Sequence, residues 1–184
     1  MLKKITLALV FFLTPMLLAQ GKMHEFVGAK TCGMCHKSEK QGEQLPIWEK
    51  SAHAKAYETL KTAEADKIAK DKGFTTKAVE TEACLKCHVS GHGVDASLLG
   101  KKFNMEDGVQ CETCHGAGGD YKSLKIMKDQ KAAVENGLMV FNTKEERVAL
   151  CQKCHNSDSP TFDAAKTNFD EMWTKIAHDI PGKK

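Results

Sequence analysis

The chain is organised around residues 108–118, which read Gly108-Val109-Gln110-Cys111-Glu112-Thr113-Cys114-His115-Gly116-Ala117-Gly118. The centre of this stretch is Cys-x-x-Cys-His, the attachment pattern for c-type haem. Two thiols three positions apart share one face of a helical turn, where they can add to the two vinyl groups of one porphyrin. The histidine that follows can turn its imidazole under the ring and bind the iron.

The same pattern occurs at three further places, so the sequence predicts four covalently bound haem c groups. The attachment residues and proximal histidines are Cys32, Cys35 and His36; Cys84, Cys87 and His88; Cys111, Cys114 and His115; and Cys151, Cys154 and His155. All eight cysteines fall in these motifs, which leaves none for a disulfide. Zinc bound by paired Cys-x-x-Cys motifs and a thioredoxin-like dithiol are the alternatives, but a histidine after every pair favours haem.

Residues 1–21 have the features of a secretory signal peptide. Lys3 and Lys4 give a basic start, residues 5–13 are an apolar run, and Ala19 and Gly21 suit cleavage. The apolar run is short for a transmembrane helix, and a retained anchor is the alternative. Bacterial haem attachment takes place outside the cytoplasmic membrane, which agrees with export. We therefore expect a periplasmic protein without stable membrane insertion, in which residues 22–184 form one tetrahaem domain.

Composition indicates a small core and argues against nucleic-acid binding. Aromatic residues are only 7% of the chain, so we expect haem to supply much of the interior and the haem-free chain to fold poorly. The formal charge of +3 falls to +1 without Lys3 and Lys4, and haem propionates would make the loaded protein acidic. No dense basic run is present. The scattered lysines form either a solvated surface or a docking face for an acidic redox partner.

Local patterns predict helices and loops with little room for a sheet. Residues 47–60 are predicted to form one helix, with Pro46 in its first turn and His53 on its apolar face. A capping-box pattern at residues 143–146 predicts a helix that leads into the fourth motif. The last helix is predicted over residues 168–181 and is ended by its proline. The Val89–Gln110 link has only 22 residues and should hold the second and third haems close together.

Several segments resemble the cytochrome c-554 (cytochrome c-554/c-prime) family of periplasmic tetrahaem electron carriers. Residues 27–32 lead into the first motif as in that family, and residues 48–56 resemble its distal-histidine helix. Residues 84–91 and 108–116 resemble its second and third haem segments. The similarity covers most of residues 26–180.

This resemblance implies a fold and a function. The fold is mainly α with long loops, a compact multihaem cytochrome c fold organised around four covalently bound haems in closely spaced pairs. The function is electron transfer in a respiratory pathway linked to nitrogen or sulfur. Residues 121–131 depart from the family because they contain no histidine where the family can place a ligand. We take His24 as the substitute.

Four histidines lie outside the motifs and are candidate distal ligands: His24, His53, His92 and His178. His53 matches the family ligand, with a packed core histidine as the alternative. His24 lies in a segment that can fold over another haem, with a mobile terminal residue as the alternative. On an ideal helix, His178 would lie opposite the apolar stripe and would face solvent. The resemblance instead places a haem ligand in this C-terminal region. We therefore predict that His178 is a ligand. His92 follows His88 by four residues, between two glycines, and is the weakest candidate.

The number of candidate distal ligands predicts that one haem stays open. Methionine is the other common axial ligand, but the methionines are candidates by type alone and core packing is their ordinary role: Met34, Met105, Met127, Met139 and Met172. Three credible distal histidines for four haems leave the haem of Cys84, Cys87 and His88 without a strong distal ligand. The resemblance implies the same, because the second haem of the family is five-coordinate.

The predicted function follows from the expectation that most haem irons have two histidine ligands. A haem with two histidine ligands cannot bind substrate, so we expect an electron carrier between periplasmic or membrane redox proteins rather than an enzyme. One alternative is a nitrogen-oxide reductase at an open haem, for which Glu112, Asp120 and Tyr121 are the local acid/base candidates. The other is a subunit of a larger multihaem conduit.

Overall fold

The computed structural model of the chain describes residues 23–181. The predicted signal peptide lies outside these residues. Within them the chain forms helices and turns and no strand, and one isolated bridge pairs Phe26 with Leu99. The mainly α prediction is therefore confirmed. No helix of the described part has the length and apolar character needed to span a bilayer.

Ten short α-helices occur in residues 23–181. They are α1 Ala29–Gly33, α2 Gln44–Lys50, α3 Ala56–Thr59, α4 Ala63–Asp71, α5 Glu82–His88, α6 Cys111–His115, α7 Leu124–Met127, α8 Gln130–Glu135, α9 Lys144–Cys151 and α10 Phe169–Thr174. Single 3₁₀ turns lie between them at Glu39–Gln41, His53–Lys55, Ala78–Glu80, Ala96–Leu98 and Met105–Asp107. Helices this short are not stable alone, so contacts between distant segments must hold them.

Local end signals place several of these helices as predicted. Pro46 is the third residue of α2, in its first turn. The capping box at the start of α9 is present, with the side chains of Thr143 and Glu146 each bonded to the other's backbone. Since Cys151 is the last residue of α9, the fourth motif begins at the end of this helix.

Two predicted helices differ from the structure. The helix predicted over residues 47–60 is broken at Ser51, whose backbone is extended. The Ser51 hydroxyl donates to the Trp48 carbonyl at 2.7 Å and accepts from the Ala54 N–H at 3.4 Å, so its side chain competes with the helical ladder. The last helix, α10, ends at Thr174 rather than at Pro181.

The apolar core of the described residues is small, as the composition predicts. Its buried apolar residues are Val27, Ala29, Leu60, Ala69, Ala78, Val89, Tyr121 and Ala133. Four of these eight are alanine, so they bury little apolar area. The largest fully buried side chain is polar, that of Gln110. Polar contacts therefore carry much of the packing around the third motif.

Buried side chains just before and within α6 hold the N-terminal segment. The Ala29 N–H donates to Gln110 Oε1 at 2.8 Å. The N–H groups of Val27 and Gly28 donate to the Glu112 carboxylate, both at 2.8 Å. These bonds join the start of α1, and with it the first motif, to the third motif.

Candidate haem-binding site

The four motifs share one local geometry. The second and third motifs lie wholly in α5 and α6, where cysteines three residues apart share a face. The first and fourth begin at the ends of α1 and α9 and continue as a turn. There the His36 N–H donates to the Cys32 carbonyl at 3.0 Å, and the His155 N–H donates to the Cys151 carbonyl at 2.9 Å. Each histidine therefore follows its first cysteine by one helical turn.

The thiols fit neither alternative well. All eight cysteines are free of disulfides. Burial raises the pKa of Cys84 and Cys151, and that of Cys114 to about 11, whereas a thioredoxin-type nucleophile needs a lowered pKa. The pKa of Cys111 is lowered, but by a hydrogen bond with Cys32 of another motif rather than within its own Cys-x-x-Cys pair. In residues 23–181 no three histidine, cysteine or acidic side chains converge as a zinc site requires. The structure thus gives no support to a dithiol or to a zinc site.

Contacts between motifs define their order in space. The Cys32 thiol lies close enough to that of Cys111 for each to shift the pKa of the other, which places the first motif against the third. Cys87 likewise lies close enough to Cys154 to raise its pKa, which places the second against the fourth. Cys114 of the third motif is close enough to Cys151 for the charge of one to affect the other. These thiol contacts therefore link the first motif to the third, the third to the fourth and the fourth to the second.

The second and third motifs are also close, as their short link predicts. Ser90, two residues after the second motif, accepts the Gln110 N–H at 2.6 Å and donates its own N–H to the Gly108 carbonyl at 2.9 Å. Its hydroxyl also bonds to that of Thr113. These bonds join the end of the second motif to the third.

Two proximal histidines each face a second histidine. The ring centres of His155 and His53 are 6.2 Å apart, and those of His115 and His178 are 5.9 Å apart. Two imidazoles on opposite sides of one metal ion, with metal–nitrogen bonds of about 2 Å and ring centres about 1.2 Å further out, have centres roughly 6 Å apart. Both pairs therefore fit a single iron between them.

The chemistry of the imidazoles also suits iron. Burial lowers the pKa of His53, His115 and His155, which favours the neutral form that binds metal. The Nδ1 atom of His88 is 2.8 Å from the Ala56 carbonyl oxygen. Ligating histidines commonly donate one ring N–H to such an acceptor, which leaves the other nitrogen for the metal.

His178 reaches His115 because α10 ends early. The helix stops at Thr174, so the ideal helical position that pointed His178 toward solvent does not apply. Its Nδ1 is 2.7 Å from the Ile176 carbonyl oxygen. A Cβ added to Gly42 would clash with the Asp179 carbonyl oxygen, so the segment that carries His178 lies directly against the loop after the first motif.

Residues just before the third motif hold the segment of His53. The Val109 N–H donates to the His53 carbonyl at 3.0 Å, and the Trp48 indole N–H donates to the Val109 carbonyl at 2.8 Å. Gly108 has a φ of +73°, and a Cβ there would lie 2.6 Å from the His53 carbonyl oxygen. The third motif thus positions the histidine that faces the fourth.

His24 lies beside the loop after the third motif. Its Nδ1 is 2.9 Å from Asp120 Oδ2. Gly137, with a φ of +101°, leaves room for it, because a Cβ there would be 2.9 Å from the ring. Among the described residues no ring contact pairs His24, His36, His88 or His92 with another histidine. The ligand roles of His24 and His92 stay predictions.

The acid/base candidates all have structural partners. Glu112 is 2% exposed and accepts backbone N–H groups. Asp120 contacts His24. The Tyr121 hydroxyl donates toward the carbonyls of His115 and Gly116, and burial raises its pKa. None of the three is placed as a free proton donor or acceptor.

The prediction that the methionines pack in the core is wrong for two of them. Met34 is 60% exposed and Met139 is 40% exposed. The other three candidates, Met105, Met127 and Met172, are half-buried.

Comparison with known proteins identifies the family. The family described as cytochrome c554 and c-prime matches residues 31–116, which include three motifs and His53. Cytochrome c-554 of Nitrosomonas europaea is 37% identical over 101 residues, which are 53% of this chain and 40% of that protein. No solved structure matches the chain. The cofactor of such cytochromes is haem c with iron, and residues 31–116 of this chain match the cytochrome c554 and c-prime family.

Proposed function

We propose that this protein is an exported carrier of four covalent haems that passes electrons between periplasmic or membrane redox proteins of a nitrogen- or sulfur-linked respiratory chain. The observation that carries the proposal is the pairing of His115 with His178 and of His155 with His53, at 5.9 and 6.2 Å between ring centres. An iron closed by two imidazoles can change its oxidation state without binding a substrate. Such sites suit transfer of electrons between proteins.

The chain's own residues supply the attachment and the ligands. Bound haem supplies a reversible one-electron iron couple. The cysteines of each motif hold one haem edge, and His36, His88, His115 and His155 bind on the proximal side. His178 closes the third site and His53 the fourth. His24 lies beside the third motif, against which the first motif packs, and we expect the second site to stay open, so we assign His24 to the first haem.

The order of the motifs supports conduction through the molecule. Contacts run from the first motif to the third, from the third to the fourth, and from the fourth to the second. Haems attached at neighbouring thiols would form one continuous series. Electrons entering at one end of this series can leave at the other, which suits a carrier between two partners.

One observation favours a second function, a nitrogen-oxide reductase at the second haem. Neither His36 nor His88 has a second histidine ring opposite it among the described residues; with His24 assigned to the first haem, the second haem would keep a position for a small ligand. A reductase also needs proton donors near the iron. The acidic and phenolic candidates named from the sequence are at the third motif, and each is bound to other groups. The carrier is therefore the better supported function.

The test combines electron counting with turnover. The oxidised protein, titrated anaerobically with a strong reductant, should take up four electrons per chain. Nitrite, hydroxylamine or sulfite added in excess to the reduced protein should cause negligible steady-state oxidation. Sustained turnover of one of these substrates would favour the reductase, and uptake of fewer than four electrons would contradict the tetrahaem carrier.

A further inference from the structure

Glu112 is a buried acid at the centre of the third motif. Its Oε1 accepts the N–H groups of Val27 at 2.8 Å and Gly118 at 2.7 Å, and its Oε2 accepts the N–H of Gly28 at 2.8 Å. No cationic side chain of the described residues forms an ion pair with it. Since all three partners are donors, the group acts as an acceptor throughout, as an ionised carboxylate does.

No other charged side chain in residues 23–181 is as deeply buried. The remaining buried polar residues of this range are Ser51, Thr81, Ser90 and Gln110, which are neutral. The carboxylates of the ion pairs are mostly well exposed, such as Glu58 at 59% and Glu106 at 58%. Water and salt screen exposed charges, whereas a buried charge keeps much of its field.

Glu112 lies between two haem attachment points. It follows Cys111 directly, and through Gly28 it holds the start of α1, which carries Cys32. The pKa of Cys32 is raised by its hydrogen bond to Cys111, by burial and by the charge of Glu112. The field of the carboxylate thus reaches the first motif as well as the third.

We propose that the Glu112 carboxylate is a positioning residue that fixes the first motif against the third and holds the reduction potentials of these two haems low. A buried negative charge stabilises ferric iron more than ferrous iron, because the ferric site carries one more positive charge. Its three backbone bonds keep the charge in one place. The inference rests on the proposed function, since it concerns haems bound at these motifs.

The test is a redox titration of the haem-loaded protein followed by optical spectroscopy. Glu112→Gln keeps the side-chain shape and removes the charge. The variant should raise two of the four midpoint potentials by about 59 mV each, which is about a tenfold change in the equilibrium constant between ferric and ferrous haem. The other two should stay within twofold of the wild-type constant.

Three control variants separate charge from packing. Tyr121→Phe removes hydrogen bonds next to Glu112 but keeps its charge, and Glu135→Gln removes an exposed charge. Glu112→Asp keeps the charge but shortens the reach to Val27 and Gly28. All three should leave the potentials within twofold of the wild-type constants, and Glu112→Asp should lower resistance to urea.

The outcomes separate this inference from the proposed function. Wild-type protein without haem would overturn both. Four haems with unchanged potentials in Glu112→Gln, or equal shifts in Glu112→Gln and Tyr121→Phe, would overturn the inference alone. If Glu112→Gln does not fold, the Glu112→Asp variant decides the question. This variant keeps the charge, so a tenfold rise in its ferric/ferrous equilibrium constants would show that the charge does not set the potentials.

Discussion

The second and third motifs have the same Cys-x-x-Cys-His pattern but different surroundings. In α6 the residue after the first cysteine is the buried Glu112, and His115 faces His178 at 5.9 Å. In α5 the motif's side chains are half-buried or exposed, and Lys86 forms a surface ion pair with Asp158 at 3.0 Å. Under the proposed function, the motif fixes where a haem is attached, whereas segments distant in sequence fix whether its iron is closed.

This difference assigns different roles to the two sites. The third site is a junction, since the first motif, the segment after the second motif and the segment of His53 all bond to residues 108–112. The second site lies at one end of the series of thiol contacts, and His88 has no opposing histidine ring among the described residues. Changes at the third motif should therefore affect the whole molecule, and changes at the second should stay local.

The largest expected effect comes from removing attachment at each motif. The double variant Cys111→Ala and Cys114→Ala should lose one haem. Its unfolding transition should also lose much of its cooperativity, because the packing of three segments depends on α6. Cys84→Ala with Cys87→Ala should cost one haem and leave a cooperative, weakened transition. Intact mass and urea unfolding followed by circular dichroism measure both. Equal loss of stability in the two double variants would contradict the difference between the sites.

Loss of a distal histidine should change the spin state at one site only. Oxidised wild-type protein should show three low-spin haems and one high-spin haem per chain by electron paramagnetic resonance. His178→Ala should give two of each, because it opens the third site, and His92→Ala should leave the ratio unchanged. Four low-spin haems in the wild type, with one converted by His92→Ala, would show that His92 closes the second site.

Two glycines of similar φ offer a matched comparison. Gly108 has a φ of +73° and Gly93 a φ of +75°, but only at Gly108 would a Cβ meet another atom, the His53 carbonyl oxygen at 2.6 Å. Gly93→Ala should cost about 1 kcal/mol of unfolding free energy from backbone strain alone. Gly108→Ala should cost about 3 kcal/mol or more and displace His53. Urea unfolding and the low-spin signal measure the two effects; equal costs would exclude the steric role of Gly108.

The smallest expected effect concerns one hydroxyl at the third motif. Tyr121→Phe should lower the unfolding free energy by about 1 kcal/mol, because the His115 and Gly116 carbonyls lose a buried donor. Tyr57→Phe is the control, since the Tyr57 hydroxyl has no hydrogen-bond partner among the described residues and its ring, 4.7 Å from Lys61 Nζ, is kept. Comparable losses in the two variants would contradict a specific role for Tyr121.

The local geometry of the Cys-x-x-Cys-His motifs and several helix ends could be predicted from the sequence because their signals are local. A motif of five residues contains its own geometry, and the capping box at Thr143 needs only the next three residues. The helix predicted over residues 47–60 failed because the Ser51 hydroxyl competes for the backbone bonds of its own turn. That competition is visible only when the side-chain conformation is known.

The pairs formed by motif histidines with distant histidines could not be predicted from local signals in the same way. His178 lay on the polar side of an ideal helix, and its contact with His115 depends on α10 ending at Thr174. The three donors to Glu112 include two from the N-terminal segment, far away in sequence, so no periodicity reveals them. The pairing of these histidines is therefore a tertiary property, unlike the local geometry of the motifs.

The number of haems per chain is the most direct test of the account. The purified protein is extracted with acidified acetone, which removes haem that is not covalently bound, and its intact mass is then measured. The account predicts the mass of the exported chain plus four haems, one for each motif. A mass without four haem increments would contradict it.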